Sequence, residues 1–371
     1  MQFRTLARID LSALAHNISV IAKLAPQSQL MAVVKANAYG HGLASVTPVL
    51  TAALAAADAA GVATLEEATT LRANGWQGRL MLLQGFANAQ ELDAAIELET
   101  EVVVHQHAQL ELLAARADSF KQRVWVKLET GMNRLGFPAD QLNAILQQLQ
   151  QYTLGLMTHF AAADETDNPS VLAQISRFEA AVSEIDLPKT LANSAATINY
   201  PQAHADMVRC GLMLFGVSPL AQGCGADLGL RPVMRFSSRL LAVKKCQAGD
   251  LIGYNGTYSC PENMPIGVVA IGYGDGYPYL VSNRTGDKPA MLMLKGVKCP
   301  VVGRVSMDML AIDLRPLETL GVQAEQGEEV ILWGPELPVE NLARSIGSIP
   351  YELLCGLTGR VNYQYHEDGA S

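Results

Sequence analysis

A chain of 371 residues, 49% hydrophobic and 17% charged, has material for two buried cores and does not have the composition of a disordered segment. Its formal net charge of −9 argues against a nucleic-acid-binding face, which needs Lys and Arg concentrated on one side. The opening MQFRTLARID lacks the basic-then-apolar pattern of a signal peptide, and no apolar run is long enough to span a membrane, so a cytoplasmic protein is expected.

The first element is a helix, predicted from Leu14, Ile18, Ile21 and Leu24 at helical spacing, with Asp10 or Ser12 as its cap. Eight short apolar runs then read as strands, near 30–35, 60–63, 79–83, 101–104, 123–128, 154–159, 189–193 and 206–210, with amphipathic stretches between them. Eight strand-then-helix units over this length predict an α/β fold, a (β/α)8 barrel of the TIM type spanning 1–228. Beyond that point, runs such as VMRFSSRLLAV, IGVVAIGY, AMLMLKGV, MLAIDL and EVILWG are separated by Gly, Pro, Asn and Asp. They predict a mainly β C-terminal domain over 229–371, with one clear helix near 338–346. The six cysteines (Cys210, Cys224, Cys246, Cys260, Cys299, Cys355) lie far apart with no Cys-x-x-Cys pair, so reduced thiols are expected, without disulfides or a metal site.

Active sites of such barrels form where the strands end and their loops converge. Lys35 closes the first run, Arg134 follows the fifth, and His159 ends the sixth. Asn193 and Ser194 follow the seventh, while Arg209 lies in the eighth, just before Cys210 and Gly211. Taken singly, Lys35 reads as a lysine reaching solvent, Ser194 as a helix cap and Gly211 as a turn. Taken together, an amine, two guanidiniums, a histidine, a serine and glycines suit a phosphorylated aldehyde and a carboxylate substrate.

The segment AVVKANAYGHG, with Lys35 as its fourth residue and Tyr39 four residues on, resembles the cofactor-binding motif of the alanine racemases. The resemblance continues in order through KLETGMNRLG, THFAAADE, NSAA, MVRCGLMLFGVSP, GYNGTY, GYGDGYP, VGRVSMDM and YELL near Tyr351, so it spans both domains. It implies racemisation of alanine with pyridoxal 5'-phosphate bound through a Schiff base to Lys35. It further implies that Tyr39, Ser194, Gly211, Leu212 and Tyr351 hold the phosphate, with Asn193 among the cofactor-binding residues. Arg209 would face the pyridine nitrogen, and His159 would link Arg209 to a second base. That base would be Tyr254 of GYNGTY, supplied in this family by the partner subunit of a homodimer with composite sites. Arg134, Tyr273 and Met307 would bind substrate, Met307 through its backbone N–H, and Lys127 matches a position that carries a carbamate in some members.

The chemistry agrees with these roles. Racemisation removes a proton from one face of the α-carbon and returns one to the other, so it needs two acid/base groups, here Lys35 and Tyr254. A tyrosine ordinarily titrates near about 10, so a phenolate base needs cationic neighbours, which the His159–Arg209 pair supplies. An arginine stays protonated and is a poor proton donor to a ring nitrogen, which restrains carbanion-like side chemistry. The resemblance also implies D-alanine for peptidoglycan as the product's use.

Three departures touch no proposed catalytic group: Ser306 where cysteine or alanine occurs, Cys210 where proline is frequent, and Tyr279 where arginine is common. Tyr279 and Ser306 bear on substrate range, and a broad-specificity or serine racemase is the alternative. A barrel-type decarboxylase would place a carboxylate opposite the ring nitrogen, and Arg209 argues against it. A non-catalytic carrier would end after the barrel, and a lysine aldolase without the cofactor would have no use for Ser194 and Gly211.

Overall fold

The structure, a computed structural model, describes residues 3–282 and 289–367. The chain divides into two compact units. One is formed by 14–214 with 218–223; the other holds the described residues up to 13, then 215–217 and those from 224 onward. The opening strand, β1 (Thr5–Asp10), therefore belongs with the C-terminal unit, and not with the barrel segment 1–228 into which the sequence was read. Asp10 then caps the helix Leu11–Leu24: its Oδ1 accepts the N–H groups of Ser12 (2.9 Å) and Ala13 (3.1 Å).

The barrel consists of β2 (Gln29–Val33), β3 (Ala59–Val62), β4 (Arg79–Leu82), β5 (Glu101–Val104), β6 (Val124–Lys127), β7 (Leu154–Met157), β8 (Lys189–Thr190) and β9 (Met207–Cys210). All neighbours pair in parallel, in the order β8-β7-β6-β5-β4-β3-β2-β9. The ring closes between its ends: Arg209 N–H donates to Ala192 O (2.9 Å), and Thr190 Oγ1 donates to Met207 O (2.7 Å). Strands β3, β5, β6, β7 and β9 are buried along their whole length. Burial on both faces, against the barrel interior and the outer helices, explains their continuous apolar runs. The helices carry local signals too: Thr64 and Glu67 form a reciprocal cap on Leu65–Ala73.

The second unit is built from β10 (Met234–Cys246), β11 (Leu251–Ile252), β12 (Tyr258–Ser259), β13 (Met264–Val269), β14 (Met291–Leu294), β15 (Val297–Val302), β16 (Leu310–Asp313), β17 (Glu329–Trp333) and β18 (Asn362–His366), together with β1. The long β10 pairs with β17 through its first half and with β13 through its second, shifting register between Leu240 and Ala242. With β13-β16-β15-β14-β17 already linked in order, this double pairing closes an antiparallel ring. β1 lies outside that ring, antiparallel to β10 (Ile9 opposite Met234) and parallel to β18 (Leu6 opposite Asn362). The expected helix appears as Val339–Ile346, and Arg315–Thr319 and Pro350–Cys355 are helices that the sequence reading did not contain. Among the described residues no helix is long and apolar enough to cross a membrane.

Candidate active site

Every barrel residue singled out from the sequence sits at the C-terminal end of the parallel sheet. Lys35 stands two residues beyond β2, Lys127 is the last residue of β6, Arg134 lies on the loop after it, and His159 follows β7. Asn193 and Ser194 follow β8, and Arg209 is inside β9. Neighbouring parallel strands thereby aim these side chains at one mouth.

The chain leaves β2 in an unusual conformation. Ala36, Asn37, Ala38 and Tyr39 are all left-handed, with φ of 53°, 53°, 56° and 51°. L-residues there cost about 1–2 kcal/mol each, so a run of four persists only when its surroundings over-determine it. They do so here. Glu67, reaching across from the next strand's helix, accepts the Ala36 N–H (2.6 Å) and the Ala63 N–H (2.8 Å). Asn37 Oδ1 accepts the Leu43 N–H (2.8 Å), and Gly42 N–H returns to Asn37 O (3.0 Å). The turn delivers Tyr39, itself buried, against β9: a Cβ added at Gly211 would meet Tyr39 Oη at 2.3 Å. Gly211 is therefore required by a close approach, while its N–H donates to Ser194 Oγ (2.9 Å). The helix cap is Asn193, whose side chain accepts the Ala196 N–H (2.9 Å), which leaves the Ser194 hydroxyl to the site.

Arg209 is buried, with its guanidinium fixed by Thr190 Oγ1 (2.8 Å), Thr158 O (2.7 Å) and Leu191 O (3.0 Å). Burial pushes it down to about 10, which still leaves it charged at neutral pH. His159 is held well below its ordinary value by burial first, then by the positive charges of Arg209, Lys127, Arg134 and Lys35. Lys127 falls to about 8, again through burial first, then Arg209 and Arg134, with Glu129 opposing and Lys35 adding to the depression. Five basic groups thus share one electrostatic neighbourhood, a setting that favours anionic ligands.

The loop bearing Arg134 is organised by Glu129. Burial acts to raise this carboxyl, but the N–H groups of Asn133, Gly131, Arg134 and Met132 outweigh it and keep the group below its usual range. Gln174, buried on the helix Pro169–Val182, spans Thr130 Oγ1 (3.2 Å) and His159 O (3.1 Å), so it ties the Arg134 loop to the His159 segment. Glu67, Gln174, Thr158 and Thr190 were not singled out from sequence. Their signal is position alone, each lying near a strand end or on the helix that follows.

The remaining predicted residues lie in the β unit. Tyr254 is 70% exposed on the turn Tyr254–Gly256 between β11 and β12, preceded by Gly253 at φ 71°. It lines a cavity of about 620 Å³ together with Cys246, Leu251, Arg304, Ser306 and Met309. Tyr273 and Met307 are brought together by backbone bonds: Tyr273 N–H to Ser306 O (3.1 Å) and Gly274 N–H to Met307 O (2.9 Å). Tyr279 packs edge-on to Tyr273, ring centroids 6.1 Å apart. Tyr351 lies on the helix Pro350–Cys355.

The barrel donors fit a phosphorylated aldehyde: an amine at Lys35, hydroxyls at Tyr39 and Ser194 beside a glycine that admits them, and surplus positive charge. Among the described residues no group of three or more His, Cys, Asp or Glu is placed to hold a metal.

Residues 9–219 match the family model described as the alanine racemase N-terminal domain, and 233–365 match that of the alanine racemase C-terminal domain. An alanine racemase of Nitrosococcus oceani is 46% identical over 360 residues, covering 96% of this chain and 97% of that protein. One from Shewanella loihica is 45% identical with the same coverage. The biosynthetic alanine racemase of Pseudomonas aeruginosa superposes with a TM-score of 0.91 at 38% identity, over 98% of this chain and 99% of that one. A Bartonella henselae alanine racemase solved with covalently bound pyridoxal phosphate gives 0.87 at 26% identity, over 98% of this chain and 99% of that one.

Proposed function

The chain belongs to the alanine racemase family and racemises alanine, and from that premise we propose that it works with pyridoxal 5'-phosphate held on Lys35 and with Lys35 and Tyr254 as its two proton-handling groups. The observation that carries this reading is the gathering of Lys35, Lys127, Arg134, His159 and Arg209 at one barrel mouth, beside the Tyr39–Ser194–Gly211 cluster. When bound, the cofactor supplies an electron sink that acidifies the α C–H bond.

The protein's residues do the rest. Tyr39, Ser194, Gly211, Leu212 and Tyr351 take the phosphate, with Asn193 among the cofactor-binding residues. Arg134 takes the substrate carboxylate, with Met307 contributing its backbone N–H and Tyr273 lining the approach. The Lys35 amine handles the proton on one face of the α-carbon, and the Tyr254 phenol handles it on the other. Arg209, charged and rigidly held, faces the ring nitrogen without donating a proton to it. His159, neutral and polarised by Arg209, directs a ring N–H towards the Tyr254 oxygen and favours its phenolate. Lys127, an amine lowered to about 8 among cations, is the position for a carbamate, whose negative charge those cations would balance.

Tyr254 comes from the partner in a homodimer with two composite sites. The exposed apolar side chains of the β unit that accompany it, Leu251, Met307 and Met309, support such a covered surface. The enzyme is cytoplasmic and supplies D-alanine for peptidoglycan. Tyr279 against Tyr273 favours, as a second reading, a wider substrate range that includes serine. The test is chiral chromatography of L-alanine incubated with purified protein and pyridoxal phosphate, with L-serine, L-lysine and L-arginine in parallel. Faster racemisation of the larger amino acids would move the assignment to a broad-specificity racemase. No racemisation of any of them would overturn the mechanism.

A further inference from the structure

We propose that His41 is a positioning residue for the cofactor: its imidazole clips the left-handed turn that joins Lys35 to Tyr39 and so fixes where the Tyr39 hydroxyl stands. This rests on the reading that Tyr39 meets the cofactor's phosphate. His41 is fully buried, and its Nδ1 lies 3.0 Å from the Ala38 carbonyl oxygen and 2.9 Å from that of Tyr39. A carbonyl only accepts, so Nδ1 carries the proton and is the shared donor. Burial also holds the ring down at about 4, so it stays neutral and keeps this arrangement at neutral pH.

The left-handed run is a single turn ending at Tyr39. A turn that stops has terminal carbonyls with no helical N–H beyond them. Ala38 O also receives the His41 backbone N–H (3.0 Å), and the ring adds the bond that reaches Tyr39 O. Glu67 and Asn37 fasten the front of the turn, while His41 fastens the end that carries the phenol. Tolerance at that end is small, because the Tyr39 hydroxyl stands only 2.3 Å from where a Cβ on Gly211 would lie.

The experiment titrates pyridoxal phosphate into the apo form of the full chain and reads its dissociation constant and the absorbance of the bound cofactor. The panel is the parent, His41→Asn, His41→Leu, Tyr39→Phe and the Tyr39→Phe/His41→Leu double variant. Asparagine keeps an N–H at the δ position, so His41→Asn is expected within about threefold of the parent. His41→Leu removes a buried donor from two carbonyls and is expected to weaken binding by about tenfold or more. In the Tyr39→Phe background the same change is expected to cost less than about threefold, because the group it positions is gone. Should His41→Leu fail to yield folded apo protein, His41→Gln, whose amide is displaced by one methylene, takes its place under the same criterion. Unchanged affinity in the donor-less variant, or losses that add fully with Tyr39→Phe, would overturn the proposal while leaving the racemase reading intact. A parent that binds no pyridoxal phosphate would overturn that reading, and this proposal with it.

Discussion

Arg209 Nη2 lies 3.3 Å from Nδ1 of His159. A guanidinium has no lone pair to offer, so the imidazole nitrogen is the acceptor, and the proton of the neutral ring sits on Nε2. A positive charge is thereby passed to the far side of a neutral ring as hydrogen-bond polarity, without the ring itself becoming a cation.

Replacing Arg209 by glutamate should expose that arrangement. Arg209→Glu puts a carboxylate at the position proposed to face the ring nitrogen and removes the donors to Thr190, Thr158 and Leu191. Racemisation should fall and transamination should rise, read as pyruvate formed per alanine racemised. An unchanged ratio would mean that Arg209 does not govern the ring nitrogen.

Tyr254→Phe should retain cofactor binding, since Tyr254 lies in the β unit and the proposed phosphate donors other than Tyr351 lie in the barrel. Loss of one acid/base group costs roughly 100- to 10,000-fold. That loss should fall on α-proton removal from a single enantiomer, measured as solvent deuterium incorporation into L- and D-alanine separately. Equal loss in both directions together with loss of cofactor would point to a structural role for Tyr254.

Gly211→Ala would place a methyl 2.3 Å from Tyr39 Oη. Tyr39 must yield, and pyridoxal phosphate affinity should drop by about tenfold. Because the closest clash is with the hydroxyl, while ring carbon Cζ at 2.8 Å remains in phenylalanine, Tyr39→Phe should blunt part of the effect of Gly211→Ala, so the two losses should be less than additive. Fully additive losses would place the damage elsewhere in β9.

Acid should weaken the fold through its buried histidines. His41 titrates at about 4 when folded, against about 6.5 for a free histidine. Between those values the unfolded chain binds the extra proton, so stability is whole above about 6.5 and is lost progressively as pH falls towards 4. The span corresponds to about 3 kcal/mol from His41, and His159 shifts in the same direction. Urea midpoints should therefore fall more steeply between pH 6.5 and 4.5 in the parent than in His41→Asn. Parallel slopes would show that His41 is not buried in its neutral form.

The eight barrel strands were legible because strands buried on both faces leave short apolar runs that end in polar residues such as Lys35 and His159. The β unit was less so. β1 and β18 depend on partners remote in sequence, Ile9 with Met234 and Leu6 with Asn362, and neither carries a local sign of them. β11 and β12 are two residues each, too short for any periodicity. Within the site, the barrel residues named from sequence lie at strand ends, but the left-handed turn was invisible. Of Ala36, Asn37, Ala38 and Tyr39 only Asn37 has a preference for that conformation, and the run comes from Glu67, Asn37 and His41 acting together. The division of labour between Asn193 and Ser194 was equally hidden, since either residue type serves as a cap.

The placement of β1 has a consequence for biosynthesis. A ribosome releases Thr5–Asp10 before any barrel strand, yet one edge of that strand waits for Met234–Cys246 and the other for Asn362–His366. For nearly the whole of translation it is an open template beside a growing chain, the kind of edge on which nascent proteins mispair. Its short length and the arginines Arg4 and Arg8 temper that hazard. A strand synthesised ahead of the whole barrel is thus completed only after it, and a nascent chain stalled before β18 would leave one side of it bare.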